Sequence, residues 1–156
     1  MKICVCADSH GNWLGLQEMV DIERPDMILF LGDGERDWRE VKLRQEIAFA
    51  AVCGNCDLMS MEPPYRKFRL GNKQFFMTHG HLYGAKQGIF GLMRQAVQAE
   101  ANLVLYGHTH HQNIEKMNDC TYLCPGSMGH LQEKYAMLHI ADDGTIEITL
   151  NQLPQE

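Results

Sequence analysis

The chain has 156 residues and a formal net charge of −6, with 45% hydrophobic and 22% charged residues. This length fits one domain over residues 1–156, and the composition is too apolar for a disordered chain and too polar for a membrane bundle. The longest apolar run, 47–53, is far short of the roughly 20 residues that cross a bilayer. Because Lys2 and Asp8 also interrupt the N-terminal stretch, we expect neither a membrane segment nor a signal peptide.

The net charge and the cysteine content indicate which binding partners and which cellular compartment to expect. The acidic balance argues against nucleic acid as a partner, because sequence-independent affinity for it comes mainly from lysine and arginine. Six cysteines without a secretory signal indicate reduced thiols and hence a cytoplasmic protein. Strand edges and apolar loop residues such as Phe90 could support a homo-oligomer, but nothing in the sequence requires one.

In the first half of the chain, apolar runs alternate with helical or polar stretches. Residues 2–7 predict a buried strand and residues 12–23 an amphipathic helix that ends before Pro25. A second strand is predicted at 27–31, a possible second helix within 35–45, and a third strand at 47–52. The order βαβαβ is typical of a parallel sheet.

The second half has mainly strand patterns. Residues 65–70 and 73–78 flank Gly71-Asn72, which suits a two-residue hairpin turn. A helix is predicted over 86–101 and a buried strand over 103–106, followed by short strands at 112–117, 120–123, 135–140 and 146–150 that suggest hairpins. The whole pattern predicts one α/β domain with two sheets whose outer faces are covered by helices.

Five of the predicted apolar strands are followed, within a few residues, by side chains of the types that bind metals. They are Asp8, His10, Asp33, Asn55, His79, His108 and His110. Any one of them alone would usually be a helix cap or a turn residue. Because ligands of open α/β sheets bind beyond the carboxyl ends of the strands, the ordered set predicts a shared cleft.

Seven donors are more than one ion needs. Four histidines and three oxygen side chains suit Mn²⁺, Fe²⁺, Zn²⁺ or Ni²⁺ rather than Ca²⁺. Two such ions that share a carboxylate and a water lower the pKa of the water and hold the attacking and leaving oxygens of a phosphate ester. The pattern therefore predicts metal-dependent hydrolysis of a phosphate ester.

These motifs resemble the signature of the calcineurin-like metallophosphoesterases. The matching segments are Asp8-Ser-His10, Gly32-Asp33, Gly54-Asn55, His79 and Gly107-His108-Thr-His110. Gly54-Asn55-Cys56-Asp57 is further similar to a small bacterial and archaeal phosphodiesterase subfamily, which is related to the retromer subunit of the vacuolar sorting type. The resemblance covers nearly the whole chain. It implies a two-sheet β-sandwich flanked by α-helices, a four-layer αββα fold.

The resemblance also implies a dinuclear site, with Mn²⁺ as the favoured metal and a hydroxide that bridges the two ions. It assigns Asp8, His10, Asp33 and His110 to one ion, and Asn55, His79 and His108 to the other. Asp33 would bridge the pair. The predicted catalytic set is Asp8, Asp33, Asn55 and His79 together with Cys56 and His81, which the resemblance does not assign.

Cys56 departs from the family pattern. Most members have a histidine here, which stabilises the phosphoryl group or protonates the leaving oxygen. A thiol with an ordinary pKa of about 8.5 is a poorer match to that role at neutral pH. We therefore expect phosphodiesters with good leaving groups to be the better substrates.

Two further side chains have both a functional and an ordinary interpretation. His81, two residues beyond His79, could contact the substrate phosphate or act as an acid, or it could be a solvated loop histidine. Arg36, three residues after Asp33, could clamp a phosphate oxygen, although we favour an exposed helix charge.

Three functions are open at this point. A phosphodiesterase acting on a small substrate is favoured. A non-catalytic scaffold of the same fold, as in the sorting subunit, predicts lost metal ligands, whereas this chain keeps all seven. A nuclease would share the chemistry, but the net charge of −6 and the lack of a basic run argue against a long polymer.

Overall fold

The structure is a computed structural model and describes residues 1–155. Within these residues there are two α-helices, α1 (Trp13–Glu23) and α2 (Phe90–Ala99), and ten strands. The strands are β1 (Lys2–Cys6), β2 (Met27–Phe30), β3 (Ala48–Ala51), β4 (Tyr65–Leu70), β5 (Lys73–Thr78), β6 (Leu103–Leu105), β7 (Gln112–Met117), β8 (Cys120–Pro125), β9 (Lys134–Ile140) and β10 (Ile146–Gln152). No helix in the described part of the chain is long and apolar enough to cross a membrane.

The strands form two five-stranded sheets. The first has the order β10-β9-β1-β2-β3, with β1, β2 and β3 parallel and β9 antiparallel to β1. The second has the order β4-β5-β6-β8-β7, with β5, β6 and β8 parallel and antiparallel strands at both edges. Within each sheet the carboxyl ends of the parallel strands therefore lie at one edge.

Alternation along the strands separates two faces of each sheet. In β1, Ile3 and Val5 pack against the second sheet, whereas Cys4 and Cys6 pack against α1. Helix α1 buries Leu16 on the outer face of the first sheet, and α2 buries Leu92 on the outer face of the second. A fully buried leucine side chain contributes about 1.5 to 3 kcal/mol to folding. These layers confirm the predicted αββα fold class.

Both helix predictions outside α1 need correction. Only Glu35–Arg39 of the 35–45 stretch is helical, as a short 3₁₀ turn. Trp38, Val41 and Leu43 all pack on the core beneath α1, and their spacing does not place them on one face of an α-helix.

The helix predicted over 86–101 begins only at Phe90, after short 3₁₀ turns at His81–Tyr83 and Ala85–Gln87. Gly84 and Gly88 have φ values of 65° and 132°, which an α-helix does not allow. The predicted third strand is also shorter at both ends, since it spans Ala48–Ala51.

The second half is less dominated by hairpins than predicted. The β4–β5, β7–β8 and β9–β10 hairpins form, and Asn118 and Asp119 have the positive φ values, 51° and 62°, of a tight primed turn. However, β5, β6 and β8 pair in parallel, because α2 returns the chain between β5 and β6, and the antiparallel β7 returns it between β6 and β8. The last hairpin joins the first sheet, where Ala136 and Leu138 are buried between the sheets.

Candidate metal centre

The predicted strand ends meet at one edge of the sandwich. Six of the seven predicted ligands form two groups of three. Within each group, the donor atoms all lie within 4.8 Å of one another. The groups are Asp8, His10 and His110, and Asp33, His79 and His108. The first follows β1 and β6, and the second follows β2, β5 and β6. Both sheets therefore contribute to one site.

The group around Asp8 has the spacing of ligands on one ion. Asp8 Oδ1 lies 3.2 Å from His110 Nε2 and 3.6 Å from His10 Nε2, and the two nitrogens are 3.4 Å apart. Ligands that each lie about 2.1 Å from a metal are about 3 to 3.4 Å from one another. The three atoms thus surround a space of the right size for a divalent ion.

His79 organises the second group. Its Nε2 atom lies 3.3 Å from Asp33 Oδ2 and 3.2 Å from His108 Nδ1. Its Nδ1 atom lies 2.7 Å from the carbonyl oxygen of Leu31, which can only accept a hydrogen bond. In the neutral ring Nδ1 therefore donates, and the lone pair of Nε2 faces the other two ligands.

A buried oxygen without a donor shows that the site suits a cation. Asp8 is fully buried, and its Oδ1 atom has no hydrogen-bond partner within the described residues. An uncompensated buried carboxylate oxygen is expensive, and a bound divalent ion would compensate it. Together with the histidine nitrogens around it, this oxygen makes a donor set that fits a divalent transition-metal ion.

The electrostatics of the two carboxylates support the same conclusion. Burial raises the pKa of Asp8, but the close contacts with the His10 and His110 rings outweigh it, so the net pKa is lowered. Burial also raises the pKa of Asp33. Contacts with His79 and with Cys56 outweigh burial and hold this pKa well below its usual range. Both side chains are therefore anionic at neutral pH.

Sharp backbone turns at the strand ends aim these side chains inward. Non-glycine residues rarely adopt a positive φ, and clusters of them mark functional sites. The predicted ligands in this conformation are Asp8 (φ 55°), His10 (44°), Asp33 (60°), His108 (71°) and His110 (63°). Such a turn directly after a strand lets residues two apart in sequence, such as His108 and His110, join different groups.

The loop after β3 brings Asn55 and Cys56 to the site. The Cys56 N–H donates to Asp33 Oδ1 at 2.7 Å, and Cys56 Sγ forms a third group with His10 and Asp33. Burial and the charge of Asp33 raise the pKa of the thiol. The Asn55 side chain is exposed and contacts Cys56 Sγ at 3.5 Å. Asn55 thus lies at the mouth of the site, and within residues 1–155 no hydrogen bond joins its side chain to the His79 group.

His81 and Arg36 both lie beside the ligands. The His81 ring centroid is 5.3 Å from that of His79, and its buried Nδ1 atom has no partner within the described residues. Burial and the neighbouring His79 lower the pKa of His81. Arg36 is exposed, as we favoured, yet it also lines a cavity that begins at Asp33 and Cys56.

The sequence analysis missed the part played by Asp57. Its carboxylate accepts hydrogen bonds from four backbone N–H groups at 2.7 to 3.0 Å, those of Asp33, Gly34, Glu35 and Gly54. These bonds join the loop after β2 to the loop after β3. The sequence did carry a signal for this role, because Asp57 ends the Gly54-Asn55-Cys56-Asp57 loop. Aspartates in such loops often accept hydrogen bonds from nearby backbone N–H groups.

Comparison with known proteins identifies the family. Residues 1–143 match the calcineurin-like phosphoesterase superfamily domain. The chain belongs to this family. It is 28% identical over 149 residues to the probable metallophosphoesterase YsnB of Bacillus subtilis strain 168, covering 92% of this chain and 86% of the relative. It is 24% identical over 153 residues to the phosphodiesterase YfcE of Escherichia coli K12, covering 82% and 79%.

Solved structures of other phosphoesterase-fold proteins share the architecture. A conserved uncharacterized protein and predicted phosphoesterase of Streptococcus pneumoniae TIGR4 superposes with a TM-score of 0.80 at 26% identity, covering 97% of this chain and 88% of that one. Wild-type Vps29 of Entamoeba histolytica, in complex with Zn²⁺, superposes with a TM-score of 0.75 at 20% identity, covering 97% and 98%. The second likeness concerns the fold alone.

Proposed function

We propose that this phosphoesterase is a metal-dependent phosphodiesterase that acts on small substrates at a dinuclear centre. The observation that carries the proposal is the unpartnered, buried Oδ1 atom of Asp8, which faces nitrogens of His10 and His110 at 3.6 and 3.2 Å and His79 Nε2 at 3.8 Å. A cation between these atoms would compensate the buried carboxylate oxygen.

The number of ligand groups supports two ions. Asp33 belongs to the group with His79 and His108 and also to the group with His10. A carboxylate that reaches both groups has the position that a bridging ligand requires. Asp33 is accordingly the proposed bridge, as the family resemblance implies.

The chain's own residues would bind the metals and manage protons. Bound ions supply Lewis acidity and lower the pKa of a shared water. Asp8 and Asp33 hold compensating negative charge, and the Leu31 carbonyl fixes the ring of His79. Cys56 and His81 lie at the open side and are the proposed proton donors to the leaving oxygen. Carboxylate oxygens suit Mn²⁺, whereas imidazole suits Zn²⁺, Fe²⁺ and Ni²⁺. Of these we propose Mn²⁺, as the family resemblance implies, with the other three as alternatives.

Preference for diesters is supported by two observations. A relative at 24% identity is a phosphodiesterase. In addition, Cys56 replaces a proton-donating histidine, and its thiol pKa is raised further by burial and by Asp33. Such a site depends on a leaving group that departs without much help, which aryl diesters provide.

The test is hydrolysis of bis(p-nitrophenyl) phosphate and p-nitrophenyl phosphate by chelator-stripped protein, with and without Mn²⁺. We expect Mn²⁺-dependent cleavage, faster for the diester. His108→Ala should remove at least about 99% of the activity, because a metal ligand is lost. His139→Ala is the matched control, since His139 is exposed on β9 and outside the site.

Metal content should be measured in the same samples. Two equivalents in the wild type and fewer in His108→Ala would support the dinuclear centre. Absence of cleavage with Mn²⁺, Zn²⁺, Fe²⁺ or Ni²⁺ would overturn the enzymatic proposal and favour the scaffold alternative.

A further inference from the structure

A cavity of about 350 Å³ extends from the metal centre in one direction. Asp33 and Cys56 stand at its inner end, the 3₁₀ turn Glu35–Arg39 forms one wall, and the loop 57–60 forms another. The cavity is large enough for part of a substrate beyond the reacting phosphate. Its lining therefore bears on which substrates fit.

Most of the carboxylates along this cavity are already engaged. Asp37 accepts hydrogen bonds from Ser9 Oγ at 2.5 Å and from the Gly11 N–H at 2.9 Å. Asp57 accepts its four backbone N–H groups, and Asp33 belongs to the metal centre. The charges of Asp37 and Asp57 are consequently directed into the protein, and that of Asp33 faces the metal centre.

The cations along the cavity are not engaged. Arg36 and Arg39 both line it and are exposed, and neither forms an ion pair or a side-chain hydrogen bond within the described residues. Elsewhere the chain pairs such groups, as Arg66 does with Glu62 at 2.7 Å. The remaining free carboxylate on the lining is Glu35, so the available charges are two positive and one negative.

Another part of the lining is apolar. Leu58 and Met59 line the cavity while 74% and 96% exposed. A ligand placed here would contact both apolar surface and guanidinium groups. This combination suits a molecule with a non-ionic body and an anionic end, since guanidinium binds phosphate and carboxylate in a planar, bidentate manner.

We propose that the substrate is a phosphodiester carrying a second anionic group, which Arg36 and Arg39 bind while the diester lies at the metal centre. This inference rests on the proposed function and specifies its substrate class. Glu35 opposes the same group and so limits binding. Arg36 and Arg39 act as specificity-determining residues.

Two chromogenic substrates with the same leaving group test this inference. They are thymidine 5′-(p-nitrophenyl phosphate) and its 3′-phosphorylated form, which differ only by the second anion. The quantity measured is the ratio of kcat/KM for the phosphorylated to the unphosphorylated substrate in Mn²⁺. We expect the wild-type ratio to be about tenfold, as for one charged hydrogen-bonded contact.

Single substitutions should move this ratio in opposite directions. Arg36→Gln and Arg39→Gln should each lower it, to about 1 in the double variant, mainly through KM. Glu35→Gln should raise it, because a competing negative charge is removed. Arg69→Gln is the matched control, since Arg69 is exposed on β4 and does not line the cavity. Arg69→Gln should keep the wild-type activity on the unphosphorylated substrate, and the ratio refers every other variant to its own activity on that substrate.

The outcomes separate the two proposals. Cleavage of both substrates with a wild-type ratio near 1, or with a ratio that the arginine variants leave unchanged, overturns this inference and leaves the phosphodiesterase intact. Cleavage of neither substrate overturns the proposed function, and the inference with it. A ratio that also falls in Arg69→Gln would show general electrostatic attraction and would overturn the assignment to this cavity.

Discussion

The backbone N–H of His108 donates to Asp8 Oδ2 at 3.0 Å, across 100 residues of sequence. This bond joins the end of β1 in one sheet to the end of β6 in the other. It also gives the two oxygens of Asp8 different roles, because Oδ2 is held by the protein and Oδ1 is free to face the histidines. The ligand is thereby oriented before any metal binds.

Gly107→Ala should weaken metal binding. A Cβ atom at Gly107 would lie 2.9 Å from Ala7 Cβ and 3.0 Å from Asp8 Oδ2, so Asp8 would have to shift. We expect metal affinity to fall at least about tenfold, measured by titrating Mn²⁺ calorimetrically, since displacing a ligand's orienting contact has effects of that size. Gly71→Ala, in an open turn, should lower stability through its φ of 59° but leave affinity unchanged. Equal affinities in wild type and Gly107→Ala would contradict the proposed role of Asp8.

Asp33→Asn should lose at least one ion and nearly all activity. The amide is neutral and a weaker ligand, and it cannot compensate two cations as a bridging carboxylate does. Metal content by plasma mass spectrometry should fall from two equivalents toward one or none. Asp142→Asn, at an exposed position, provides the control. An active variant with two ions would exclude Asp33 as the bridge.

Asp57→Asn should destabilise the protein and weaken the metal site together. The four backbone donors that meet the carboxylate would face one amide oxygen and one amide NH₂ group, which cannot accept. Lost bonds to a charged acceptor are worth about 1.5 to 3 kcal/mol each at most, and we expect a net loss of about 3 kcal/mol in urea unfolding of the metal-free protein. Asp119→Asn, exposed in a turn, should be nearly neutral. A loss below about 1 kcal/mol would show that the loops do not depend on Asp57.

Cys56→His should raise the rate on diesters with poor leaving groups more than on aryl diesters. An imidazole titrates nearer neutral pH than this thiol, whose pKa is raised. The measurement is the slope of log kcat/KM against leaving-group pKa for a series of phosphodiesters, which should become shallower. Cys56→Ser controls for loss of the thiol alone. An unchanged slope in Cys56→His would show that the residue at position 56 does not protonate the leaving oxygen.

Metal should dissociate as the pH falls. Burial lowers the pKa of His79, but Asp33 and Asp8 outweigh it and raise the pKa above its ordinary value of about 6.5 in the metal-free protein. Histidine must be neutral to bind metal, so protons compete with the ions increasingly below this pKa. Equilibrium dialysis at pH 8 and pH 5 should show bound metal at the first and little at the second. Full retention at pH 5 would indicate another ligand set.

The sequence by itself determined the strands that carry the site. Short apolar runs ending in Asp8, Asp33 and His79 are local signals, because a buried strand must be apolar and must stop where polar residues begin. The two-residue turn at Gly71-Asn72 was equally local. For the same reason the order of the motifs was sufficient to indicate the fold family.

Only the tertiary structure decided how the ligands meet. The positive φ of five predicted ligands, the pairing of β9 with β1, and the contact of His108 with Asp8 depend on long-range packing, which no local pattern encodes. The role of Asp57 was hidden for the same reason, since three of its four partners lie more than 20 residues away in sequence. Local sequence thus determined which groups are present, and long-range packing determined what each of them faces.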